Sequence, residues 1–62
     1  RELEEVEARI ASAEARQAEI EAELASAGAD SSRVLALSTE LGTLSTAHEA
    51  DVERWAELAE LA

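Results

Sequence analysis

Four kinds of side chain in this 62-residue chain have the means to do chemistry: one histidine, fifteen carboxylates, one tryptophan and five arginines. His48 as a general base or metal ligand would need partners held in fixed geometry, and only Glu49 and Asp51 stand near it in sequence. The carboxylates would make a calcium site only with turn glycines and ligands at alternate loop positions, and a glycosidase pair only across a cleft. Trp55 would stack on a base if its face were free. Arg9, Arg16, Arg33 and Arg54 would grip phosphate if cations outnumbered the anions around them. Whether any of this is available depends on the elements that carry these residues.

Composition limits those elements. Hydrophobic residues make up 47% of the chain, yet 15 of those 29 residues are alanine, and there is no Phe, Tyr, Met, Cys or Pro. Alanine, glutamate, leucine and arginine favour long helices. The absence of cysteine excludes disulfides and thiolate metal sites and fits a cytoplasmic location. No apolar run approaches the roughly 20 residues that span a bilayer. A chain opening on Arg1 rather than Met reads as part of a longer protein. The net charge of −10 is spread over both halves and repels phosphate backbones and anionic lipid. A membrane partner is not expected, because interfacial helices carry cationic polar faces and these are rich in glutamate.

Periodicity supplies the architecture. Leu3, Val6, Ile10, Ala13, Gln17, Ile20, Leu24 and Ala27 follow alternating steps of three and four, a heptad seam with Leu3 at a and Val6 at d. Val34, Leu37, Leu41, Leu44, His48, Asp51, Trp55 and Leu58 repeat the spacing, with Val52 able to stand in for Asp51. Between the two runs, Gly28 is suited to end a helix in the left-handed conformation, and Asp30 or Ser31 to cap the next. The expected fold is all-α: a two-helix antiparallel coiled-coil hairpin over residues 1–62, with a helix at about 2–27, a turn at 28–31 and a helix at about 32–60.

Folding the stripes together gives the pairs Leu3–Leu58, Val6–Trp55, Ile10–Asp51, Ala13–His48, Gln17–Leu44, Ile20–Leu41, Leu24–Leu37 and Ala27–Val34. All are centred on the Asp30–Ser31 bond, so turn signals and apolar spacing agree. The structural seam is Leu3, Val6, Ile10, Ile20, Leu24, Leu37, Leu41, Leu44, Trp55 and Leu58. Ala13, Gln17, His48 and Asp51 make its middle the expected site of greatest hydration. His48 is then a seam histidine beside a small residue, Trp55 a core residue, and the carboxylates solvated helix faces. Arg9 and Arg16 fall at g, Arg33 and Arg54 at g′, along one edge of the hairpin. There Glu23–Arg33, Arg16–Glu40 and Glu2–Arg54 become opposite-charge partners, and this pairing is preferred to a phosphate-gripping edge.

Certain runs carry a further signal. Residues 1–10 (RELEEVEARI), 18–25 (AEIEAELA) and 54–58 (RWAEL) resemble the opening, continuation and close of the C-terminal coiled-coil domain of ABC-F (Uup-like) ATP-binding cassette ATPases. The Arg54-Trp55-Ala56-Glu57-Leu58 close is the more discriminating part. The resemblance implies a cytoplasmic parent with two ATP-binding cassettes and no transmembrane domain, and an accessory contact to DNA or the ribosome. ATP would belong to the parent, since no phosphate-binding lysine loop occurs here and the chain has no lysine at all. No catalytic site, cofactor, metal or small-molecule substrate is expected in the chain itself. The other function class is a structural or protein-interaction coiled coil, which could associate as a four-helix homodimer through its marginal seam or its exposed Ala and Leu35 face.

Overall fold

The computed structural model describes residues 1–61; Ala62, the last residue of the expected hairpin, lies outside them. Helix α1 runs Glu2–Ala27 and helix α2 runs Ser31–Leu61, packed side by side in a rod of 48 × 15 × 13 Å. The fold is the all-α helical hairpin that the paired stripes predict.

Local chemistry explains where each helix begins and ends. The first turn of α1 holds Glu2, Glu4 and Glu5, whose charges complement the positive end of the helix dipole. The helix ends at Gly28, which takes a positive φ of 62° but a ψ of −126°. This is the first central position of a type II′ turn rather than the left-handed helical cap that Gly28 suggests in sequence. The Asp30 N–H donates to the Ala27 carbonyl at 3.1 Å and closes that turn. Asp30 then caps α2, its Oδ1 accepting from the Arg33 N–H at 3.1 Å. One glycine and one aspartate thus reverse the chain. Gly42, within α2, leaves the helix continuous.

The core is a single file. Val6, Ala13, Ile20 and Ala27 are the buried residues of α1, and each is a d position one heptad from the next. On α2 Leu37 is the only buried residue among those described. Leu3, Ile10, Leu24, Leu41, Leu44 and Leu58 are half-buried. Two helices alone shield one line of side chains completely, and their flanking seam positions keep one side wet.

Three expectations about the seam need correction. Trp55 is not a core residue: it is 39% exposed, while Val6 on the facing helix is fully buried. Its indole N–H takes a polar partner at the surface, the Glu7 carboxylate. Val52 does not replace Asp51 in the seam. It is 40% exposed, whereas Asp51 is half-buried and bonded to Arg9. The middle is also not the most hydrated stretch. Ala13 is buried, and His48, Gln17 and Asp51 are half-buried, so the greatest seam exposure lies at the open end, at Trp55.

Candidate functional site

The hairpin has two long edges where side chains of both helices meet, and they differ in chemistry. One edge carries the g and g′ positions: Glu2, Arg9, Arg16 and Glu23 on α1, and Arg33, Glu40, Ala47 and Arg54 on α2. The other carries e and e′: Glu7, Glu14 and Glu21 on α1, and Ser38, Ser45, Val52 and Ala59 on α2. All four candidate arginines are therefore on the first edge.

None of those four is free. Arg54 donates from Nε and Nη2 to both carboxylate oxygens of Glu2, at 2.7 and 2.8 Å, and from Nη1 to Glu57 at 3.0 Å. Arg16 forks onto Glu40 in the same way, at 2.6 and 2.8 Å, while its Nη1 reaches Glu19 and Glu23 at 3.1 Å each. Arg33 lies 3.6 Å from Glu23. These are the three interhelical pairs that the heptad register predicts. Arg9 is the departure. Its g′ counterpart is Ala47, which offers no charge, and it turns inward to donate to Asp51 at 3.2 Å.

The two forked pairs shift titration as such geometry should. Hydrogen bonding from Arg16 holds the Glu40 carboxyl below its ordinary value, and Arg54 does the same for Glu2. The Arg16 and Arg54 guanidinium groups are in turn held still more firmly in the charged form, chiefly by hydrogen bonds to Glu40 and Glu2. The edge is a closed set of charge-assisted bonds. Beside it a groove of about 400 Å³, lined by Ala8, Ser12, Ala13, Leu44 and Ala47, is bridged by the Arg9–Asp51 pair.

The second edge has no arginine. There the aromatic nitrogens of α2 meet carboxylates of α1: the Trp55 indole N–H donates to Glu7 Oε2 at 3.0 Å, and His48 Nε2 lies 3.2 Å from Glu14 Oε2. Glu7, Ile10, Ala11, Glu14, Val52 and Trp55 line a groove of about 410 Å³. Reasoning from the sequence misses this groove, because it takes both Trp55 and Val52 as seam candidates. The signal was the e-position series Glu7, Glu14 and Glu21, set against neutral e′ partners.

No cluster of three or more His, Cys, Asp or Glu residues is arranged to hold a metal among the described residues. No helix among them is long and apolar enough to cross a membrane. What the surface offers is a rod with one edge of neutralised arginines and one acidic, partly apolar edge. The class defined by this geometry is a two-helix hairpin.

The chain belongs to the ABC transporter C-terminal domain family, whose model matches residues 1–60. It is thus an accessory domain of an ABC protein. No curated protein and no solved structure matches it.

Proposed function

We propose that this hairpin is the non-catalytic C-terminal arm of an ABC-F type ATPase of the Uup-like branch, and that it acts through protein contact rather than by holding a phosphate backbone. The ABC-F assignment is supported by the RELEEVEARI opening and the RWAEL close. It carries with it ATP in the parent's cassettes and a cytoplasmic site of action. An upstream sequence with two cassettes and no membrane-spanning segments is the outcome expected of this assignment; a membrane-spanning parent overturns it.

One observation carries the choice of protein contact: Arg9, Arg16, Arg33 and Arg54 all have carboxylate partners within the chain. A phosphate would have to displace Glu40 from Arg16 or Glu2 from Arg54, and would approach a chain of net charge −10. DNA or ribosome contact is the second reading, favoured by the gathering of all four arginines on one edge.

Titrating salt against binding to a short DNA duplex and an RNA hairpin separates the two. Each neutralised phosphate contributes a log–log slope of about −0.9 on duplex DNA and about −0.7 on single strands. No binding at low salt, or a slope near zero, is expected. A slope equivalent to several phosphate contacts, lost when Arg16 and Arg54 are changed to Gln, overturns the protein-contact reading.

A further inference from the structure

We infer that the edge groove between Glu7, Glu14, Val52 and Trp55 is a docking site for a basic amphipathic helix of a partner protein, with arginine or lysine side chains paired to the two carboxylates and an apolar side chain on Val52 and Trp55. The inference rests on the protein-contact reading above and assigns it a place and a partner chemistry.

Three features converge at the groove. Its floor is apolar and accessible: Val52 and Trp55 are both about two-fifths exposed, beside the half-buried Ile10. Exposed aliphatic and aromatic side chains lying together are the usual centre of a contact surface. Its rim is anionic and carries no arginine. Glu7 and Glu14 accept only from the Trp55 indole and His48, and neither pairs with an arginine among the described residues. This contrasts with the opposite edge, where arginines close the set. Finally, the Trp55 N–H donates to Glu7, which turns the ring toward the carboxylate rim. A cation at these carboxylates gains charge-assisted hydrogen bonds, and an apolar side chain on Val52 and Trp55 gains buried area.

Charge selects the occupant. A second copy of this chain would bring another −10, and its four edge arginines are already held by its own carboxylates. Phosphate and anionic lipid are repelled by Glu7 and Glu14. A helix that alternates basic and apolar residues at helical spacing satisfies rim and floor together, in the helix-in-groove mode.

The test uses a synthetic amphipathic helix of Leu and Arg, its Leu/Glu counterpart and a short DNA duplex, with the emission and indole N–H resonance of Trp55 as readout. The chain should bind the Leu/Arg peptide, shift the Trp55 signals, and ignore the other two probes. The E7Q/E14Q variant should bind about tenfold more weakly, on the scale of close interfacial charge pairs. The E49Q/E53Q variant removes the same charge from the outer face of α2 and should bind like the parent. Far-UV circular dichroism of each variant shows that the hairpin is intact. Equal weakening in both variants, or binding that leaves Trp55 unmoved, overturns the groove while protein contact stands. Failure to bind the Leu/Arg peptide also overturns the groove. Duplex binding in its place brings down the protein-contact reading as well.

Discussion

Arg16 of α1 and Glu40 of α2 face each other across the hairpin with two parallel hydrogen bonds, Nε to Oε2 at 2.6 Å and Nη2 to Oε1 at 2.8 Å. Two heptads towards the open end, Arg54 and Glu2 repeat the fork with the helices exchanged: arginine on α2, glutamate on α1. Solvent-exposed pairs of this kind add little stability. Their consequence is register and charge, because they match one alignment of the helices and occupy the guanidinium groups of that edge.

These forks set a pH dependence whose sign follows from the depressed carboxyl values. Glu2 and Glu40 titrate lower in the folded chain than the ordinary 4.5, so whatever they contribute is fully present above that value. It is lost as pH falls through the lower folded-state values. The urea midpoint of E2Q/E40Q should therefore lie below that of the parent at neutral pH and converge with it in acid. A difference that persists unchanged in acid would show that the loss has another cause.

Ile20 is the sharpest test of the single-file core. It is fully buried, and Ile20→Ala should cost about 2–5 kcal/mol. A single core in a chain this small rarely supplies more than about 3–5 kcal/mol in all. The variant should therefore show largely lost helical circular dichroism at room temperature. A variant that melts like the parent would mean that the d line is not the core.

The two glycines should respond in opposite directions. Gly28 holds a positive φ that an L side chain rarely adopts, so Gly28→Ala should destabilise by about 1 kcal/mol or more even though the space beside it is empty. Gly42 is helical and a Cβ there meets nothing within 4 Å, so Gly42→Ala should stabilise by up to about 1 kcal/mol. Thermal melts of the two variants moving the same way would contradict the turn geometry.

Asp30 is the only side chain that caps α2 in the described turn. Asp30→Ala leaves the Arg33 N–H without its acceptor and should cost about 0.5–2 kcal/mol, with Asp30→Asn recovering most of it. Hydrogen exchange at the Arg33 amide reads the loss directly; unchanged protection in Asp30→Ala would rule out the cap.

Most of this architecture is legible in the residues themselves. Apolar spacing gives two helices and their register, and the register gives Glu2–Arg54, Arg16–Glu40 and Glu23–Arg33, because heptad position decides which side chains meet across a seam. What spacing does not give is where a seam residue's polar group finds its partner. Trp55 occupies a seam position, but its N–H bonds Glu7 at the edge and the ring stays 39% exposed. Asp51 stays at the seam, against its polarity, because Ala47 leaves Arg9 without an edge partner and Arg9 reaches in. The acidic groove follows from the outward lean of Trp55 and the exposure of Val52 beside it. A heptad reading that treats every seam residue as core has no place for it.

The most direct check on the whole arrangement is a nuclear Overhauser spectrum of the parent chain, read from the indole N–H of its single tryptophan. The hairpin in this register predicts cross-peaks from Trp55 to the side chain of Glu7, 48 residues away. If the indole N–H saw only its neighbours on α2, the helices would not be zipped as described, and both the closed arginine edge and the groove opposite it would fall with them.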